Sequence, residues 1–176
     1  MDTGRDFLQA QVNNSLAQHG SLITSLRDHA EQAEHARYRE LCLQYLPTLE
    51  RTHGMLEQYG RSIGAESGGG IVKGAIGAVL GKARDAVDAF RESDFLRVVA
   101  DSVMIRQAQD TFRTFAAVGE QISEPELATL GREAESLHDE MQRDFNAVAA
   151  EIFVAQVNGS PADSSPVAGT AVRQHG

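Results

Sequence analysis

From Leu8 onward, apolar residues recur every three or four positions. Leu8, Val12, Leu16, Ile23 and Leu26 make one stripe, interrupted by a single polar member, His19. That spacing puts side chains on one face of an α-helix, so the stripe predicts a first helix. A second series, Tyr38, Leu41, Tyr45, Leu49, Leu56 and Tyr59, predicts a second helix with one place in the rhythm skipped. Neither Gly nor Pro separates the two, and the turn is placed within residues 29–36 because both stripes need burial. Pro47 falls inside the second pattern, where it lacks a backbone N–H and either kinks the helix or starts a new one.

The segment from Gly64 to Ala83 breaks the rhythm with seven glycines, Gly64, Gly68, Gly69, Gly70, Gly74, Gly77 and Gly81. From Ile71 it becomes amphipathic and reads as a crossover. Small residues at helical spacing also occur in membrane helices, but this apolar run is too short to span and carries Lys73 and Lys82. A third helix follows through Val98, Ile105, Phe112, Phe115 and Ile122. Ser123, Glu124, Pro125 and Glu126 then spell a capping box with Ser123 as N-cap. The fourth helix has the most regular stripe, Leu127, Leu130, Ala134, Leu137, Met141, Phe145, Val148 and Ile152. These patterns predict an all-α fold. Residues 1–157 are expected to form an antiparallel four-helix bundle of ferritin-like connectivity, with the Gly-rich crossover 64–83 between the second and third helices and other four-helix topologies left open. Residues 158–176, which hold two of the four prolines and few large apolar side chains, read as a disordered tail.

Composition narrows the partners. The chain has 176 residues with 16 Lys+Arg and 25 Asp+Glu, a formal net charge of −9. With no basic run, it lacks the electrostatic footprint of a nucleic-acid binder. Hydrophobic residues make up 41%, only 6% are aromatic and Trp is absent, as suits helices packed through Leu, Ala and Val. The single cysteine, Cys42, has no partner for an internal disulfide and reads as a buried, inert thiol. The N-terminal stretch is acidic and polar where a signal peptide is basic and then apolar, and no 18-residue apolar stretch occurs. The expectation is a cytoplasmic protein without a membrane span that forms a homo-oligomer through a helix face.

Two histidines stand three residues after a glutamate: Glu50 and His53 on the second helix, Glu135 and His138 on the fourth. Positions i and i+3 share a helix face, so each pair can aim a carboxylate and an imidazole at one point. Two such pairs, with a glutamate from each remaining helix, make a di-iron or di-manganese carboxylate centre. With the hairpin turns near Glu34 and Ser123, Glu50 faces Gln18, His53 faces Ser15, Glu135 faces Thr111 and His138 faces Ala108. The candidate metal ligands are therefore Glu50, His53, Glu135, His138, Asp110 and Gln18. That set is short of anionic groups for two metals, though its imidazoles suit iron, manganese or zinc. In the competing reading both pairs are solvated helix neighbours. Asp101 falls on the inward seam of the third helix, with Arg132 or Arg143 as expected partners or a place near the crossover as the alternative. His29 and His35, beside Asp28, Glu31 and Glu34, read as a solvated polar corner. No strand precedes the Gly-rich segment and no Gly-Lys-Ser/Thr closes it, which argues against a phosphate loop.

Taken in order, LAQHGSLITSL, YLPTLERTHGMLEQYG, the Gly-rich spacer, MIRQAQDTFRTFAAVGEQI and LATLGREAESLHDEMQRDF resemble the YciF-type stress-associated ferritin-like family over about residues 7–155. The resemblance implies a four-helix bundle, often dimeric, with a metal site in the bundle. By position it puts Gln18 where that family has a first-helix glutamate. Glu50 and His53 fall in its second-helix ligand region, and Glu135 and His138 in its fourth-helix region. Phe112 and Thr114 stand near positions where the family has acids, which implies a degenerate centre holding iron or manganese, or no metal at all. The alternative function class is a helical interaction protein that docks a partner or a second copy without metal. An oxygen-using oxidase would need the missing acids.

Overall fold

A computed structural model describes residues 3–65 and 93–159. The expected crossover beyond residue 65 and the expected tail from residue 160 lie outside the described residues. Within them the chain is all-helical and contains no strand: α1 (Thr3–Gln32), α2 (Ala36–Ser62), α3 (Asp94–Gln121) and α4 (Pro125–Val157).

The stripes become the core. Val12, Ile23 and Leu26 of α1 meet Tyr38, Leu41, Tyr45, Leu49 and Leu56 of α2 in one buried cluster. Val98, Ile105, Phe112 and Phe115 of α3 complete it with Met141, Phe145, Val148 and Ile152 of α4. Fully burying one such aliphatic or aromatic side chain stabilises by about 1.5–3 kcal/mol, so the stripes supply the drive to bundle. The skipped place in the second stripe is Thr52, buried with its hydroxyl donating to Thr48 O at 3.0 Å. Pro47 neither ends nor restarts α2: it lies on the exposed face, where water can take up the carbonyl left without an N–H partner.

The turn between α1 and α2 is held by side chains from outside it. Asp94, the first residue of α3, accepts hydrogen bonds from the backbone N–H groups of Glu34 and His35 at 2.8 and 2.6 Å. Arg39 donates to Ala33 O at 3.1 and 2.7 Å, while Arg97 donates to Gln32 O at 3.2 Å and pairs with Asp94 at 3.0 Å. His35 acts as the N-cap of α2, its Nδ1 accepting from Tyr38 N at 3.3 Å.

At the other turn the expected capping box does not form. The N-cap of α4 is Glu124, and its side chain makes no cap bond. Ser123 instead takes the left-handed conformation, φ 59°, and ends α3. Glu124 N reaches back to Gly119 O at 2.8 Å, a Schellman closure. The wrong reading follows from a shared vocabulary: the same four residues that can start a helix here terminate the previous one, and Pro125 takes the first helical position.

α3 and α4 then approach more closely than side chains ordinarily allow. A β-carbon on Gly119 would lie 2.8 Å from Ala128 Cα and 2.9 Å from Glu124 O. One on Gly131 would lie 2.7 Å from both Ala116 Cα and Phe112 O. With Ala116, Ala128 and Ala134 buried beside them, this hairpin packs backbone on backbone.

Candidate functional site

The glutamates of the two Glu-x-x-His pairs are engaged by arginines. Glu50 is 52% exposed at its side chain and pairs with Arg27 at 2.8 Å. Glu135 accepts from Arg113 at 2.7 Å, and Asp110 lies on the exposed surface between Arg106 and Arg113, 3.4 and 3.7 Å away. Gln18 is half-buried on α1. The structure therefore does not gather Glu50, Glu135, Asp110 and Gln18 into one inward-facing set. Charge explains this, since a carboxylate with an arginine in reach loses less solvation at the surface than in the bundle.

The histidines go the other way. His138 is completely buried, and His19 is 1% exposed. The rings of His19 and His138 lie 5.3 Å apart, centroid to centroid, and His19 stacks on His53 at 5.5 Å with an interplanar angle of 8°. Phe112 closes the group, 5.6 Å from His19 and 5.2 Å from His138. Each helix thus contributes one ring: His19 from α1, His53 from α2, Phe112 from α3 and His138 from α4. The facing arithmetic, with the first turn near Glu34, sets His53 against Ser15. The contact observed is with His19, one helical turn further along α1, although the turn between Gln32 and Ala36 is centred on Glu34 as the arithmetic assumes.

Four ring nitrogens in this group are buried without a hydrogen-bond partner: both of His19, Nδ1 of His53 and Nε2 of His138. An unpaired buried polar group of this kind costs about 1–3 kcal/mol. His138 Nδ1 lies 2.7 Å from Ala134 O, which can only accept, so Nδ1 carries the proton and Nε2 a free lone pair. His53 Nε2 faces Glu57 Oε1 at 3.7 Å, leaving Nδ1 inward. Burial holds the His19 pKa down at about 3, helped by the neighbouring His138 and His53, and burial lowers that of His138 to about 4. Both imidazoles are neutral at physiological pH. As they stand, the rings do not converge on one point, and among the described residues no group of three or more His, Cys, Asp or Glu is arranged to hold a metal ion.

A second buried polar group lies towards the α1–α2 turn. Asp101, fully buried, accepts from Ser25 Oγ at 2.8 Å and Tyr38 OH at 2.6 Å, and sits 2.9 Å from His29 Nδ1. The expected arginine partners are engaged elsewhere: Arg132 pairs with Glu120, and Arg143 with Asp139. His29 accordingly belongs to the interior network and His35 to the helix cap, so the expected solvated corner becomes structural. Burial and the Asp101 carboxylate both push the Tyr38 hydroxyl far up, keeping it a donor. Burial likewise pushes up the Cys42 thiol, which is free and buried beside them, consistent with an inert side chain.

No helix among the described residues is long and apolar enough to cross a membrane. No family model, curated protein or solved structure matches this chain.

Proposed function

We propose that the chain is a ferritin-like bundle of antiparallel helices that binds a metal ion in its interior, as a cytoplasmic, stress-associated binding protein and not as an oxidase. Meeting residues support the topology, because their numbers run in opposite senses along each pair: Val12 with Gly60 and Arg27 with Glu50, Ala116 with Gly131 and Phe95 with Phe153, Ser25 with Asp101 and Arg97 with Gln32, Tyr45 with Asp144 and Arg37 with Glu151. The observation that carries the reading is the set of four unpartnered imidazole nitrogens in the middle of the bundle. A bound ion is one of the few explanations for buried polar groups that bond to nothing. The carboxylates needed for oxygen chemistry at two metals are held outside by arginines, which disfavours the oxidase. Metal analysis of the full chain, separately loaded with iron, manganese and zinc and then desalted, tests the reading. Near-stoichiometric retention of at least one metal is expected; less than roughly a tenth of an ion per chain for all three would defeat it.

A second reading, self-association, is favoured by one surface feature. Phe153, Val154 and Val157 near the end of α4 are exposed, with the Phe153 ring tilted against Phe95 at 5.5 Å and exposed Val99 one turn further along α3. Exposed apolar clusters of this kind commonly mark interfaces. Sedimentation of the full chain and of a Phe153→Ser/Val157→Ser variant tests it. A dimer converted to monomer supports the reading, and a monomeric wild type removes it.

A further inference from the structure

Resting on the metal-binding reading, the geometry points to a single-ion centre built from three imidazoles, His19, His53 and His138, and selective for borderline transition ions such as Zn²⁺ or Co²⁺ over Mn²⁺. The carboxylates of the two Glu-x-x-His pairs take no part in it.

Donor chemistry makes the case. The His138 proton is held on Nδ1 by Ala134 O, which fixes the ring and leaves the Nε2 lone pair in the interior. A metal-ligating imidazole is generally oriented in this way, its second nitrogen donating to a carbonyl or carboxylate. His53 follows a looser version of the pattern, with Glu57 on its outer nitrogen and Nδ1 inward. His19 sits between them and forms no hydrogen bond through either nitrogen. It can therefore turn its ring out of the stacked arrangement without losing a protein partner.

Spacing agrees. Two imidazoles bound to one tetrahedral ion at about 2.0–2.1 Å have centroids about 5 Å apart. The His19–His138 and His19–His53 centroid distances are 5.3 and 5.5 Å, so two of the three ring pairs already stand near ligand spacing, and the side chains must turn to bring the third pair, His53 and His138, together. Three neutral nitrogen donors supply no negative charge, which suits zinc, cobalt, nickel or copper and serves manganese poorly. Phe112 occupies the α3 side of the group, leaving the fourth coordination position to water or a small ligand.

The test is a titration of chelator-stripped full-length protein with Co²⁺, read by visible absorption, followed by displacement with Zn²⁺ or Mn²⁺. Expected are one cobalt per chain, the intense bands of low-coordinate cobalt, displacement by zinc, and none by equimolar manganese. His53→Ala, at the least buried of the three positions, should weaken cobalt binding by more than about tenfold, as loss of even a supporting group does. Circular dichroism checks that helix content is kept. Glu50→Gln/Glu135→Gln should bind within about twofold of wild type. Metal binding that is lost in the glutamate variant and kept in His53→Ala would overturn the three-imidazole centre while leaving the metal reading intact, as would two ions per chain. Absence of binding by every ion overturns both. Should His53→Ala lose helix content, histidine proton resonances decide: shifts confined to rings other than these three on adding Zn²⁺ would reject the centre.

Discussion

At the scale of single residues, His19 is costly to the metal-free protein. Both of its nitrogens are buried and unpaired, so His19→Leu, close in volume and without polar atoms, is expected to raise unfolding stability by about 1–3 kcal/mol in urea titration. No change, or a loss, would mean that an unseen water satisfies the ring. Asp101 is the opposite case. Its carboxylate takes hydrogen bonds from two helices, and Asp101→Ala strands Ser25, His29 and Tyr38 around an empty site. A destabilisation of about 3–5 kcal/mol is expected from the same titration, and a loss under about 1 kcal/mol would show that the network relaxes freely. Both residues are visible in the sequence as polar interruptions of apolar stripes. Their partners are not. Counting from a turn centred on Glu34 puts Ser15 opposite His53, whereas the folded chain puts His19 there, one helical turn away, because the count ignores how the side chains reach across the helix pair.

The four helices themselves are plain in the sequence because each stripe is long and periodic, and a helix needs little beyond that to be recognised. Their ends are another matter. The α1–α2 turn contains no Gly or Pro because Asp94 and Arg39 do the work of ending and starting the chain there, and Asp94 lies about 60 residues away. Ser123 lies in a left-handed conformation that only its neighbours' backbone bonds reveal. The α3–α4 contact is equally hidden, since Gly119 and Gly131 look like weak points in a helical pattern until the facing backbone is known. Gly131→Ala should therefore cost far more than its gain of about 1 kcal/mol in helix propensity. A net loss above about 2 kcal/mol is expected from forced separation of the helices. A Gly131→Ala protein as stable as wild type would mean that the hairpin opens without penalty.

The whole molecule should respond to acid through its interior histidines. In the unfolded chain an imidazole titrates near 6.5; in the bundle His19 is held at about 3 and His138 at about 4. Between those values the unfolded state binds more protons, so stability rises with pH and falls as pH drops below about 6.5. The slope is up to ~1.4 kcal/mol per pH unit for each histidine, down to about pH 4 for His138 and about pH 3 for His19. Among the described residues the titratable groups acting on these rings are His138 and His53 on His19, and no carboxylate raises either pKa to offset the effect. Urea midpoints of metal-free protein at pH 7.5 and pH 5.5 test this. The wild type should lose stability over that interval, and His19→Leu should lose roughly half as much; equal losses would place the titration elsewhere.

The backbone contact at Gly119 and Gly131 has a consequence for how such a chain can vary. A surface pair such as Arg106 with Asp110 can be exchanged for almost any polar pair without touching the fold. At residues 119 and 131 nineteen of the twenty amino acids bring a side chain that the opposing backbone excludes. Any relative that keeps this hairpin spacing must therefore keep both glycines. Among the described glycines of α1 and α2 none meets opposing backbone in this way, so close approach constrains that half of the bundle less.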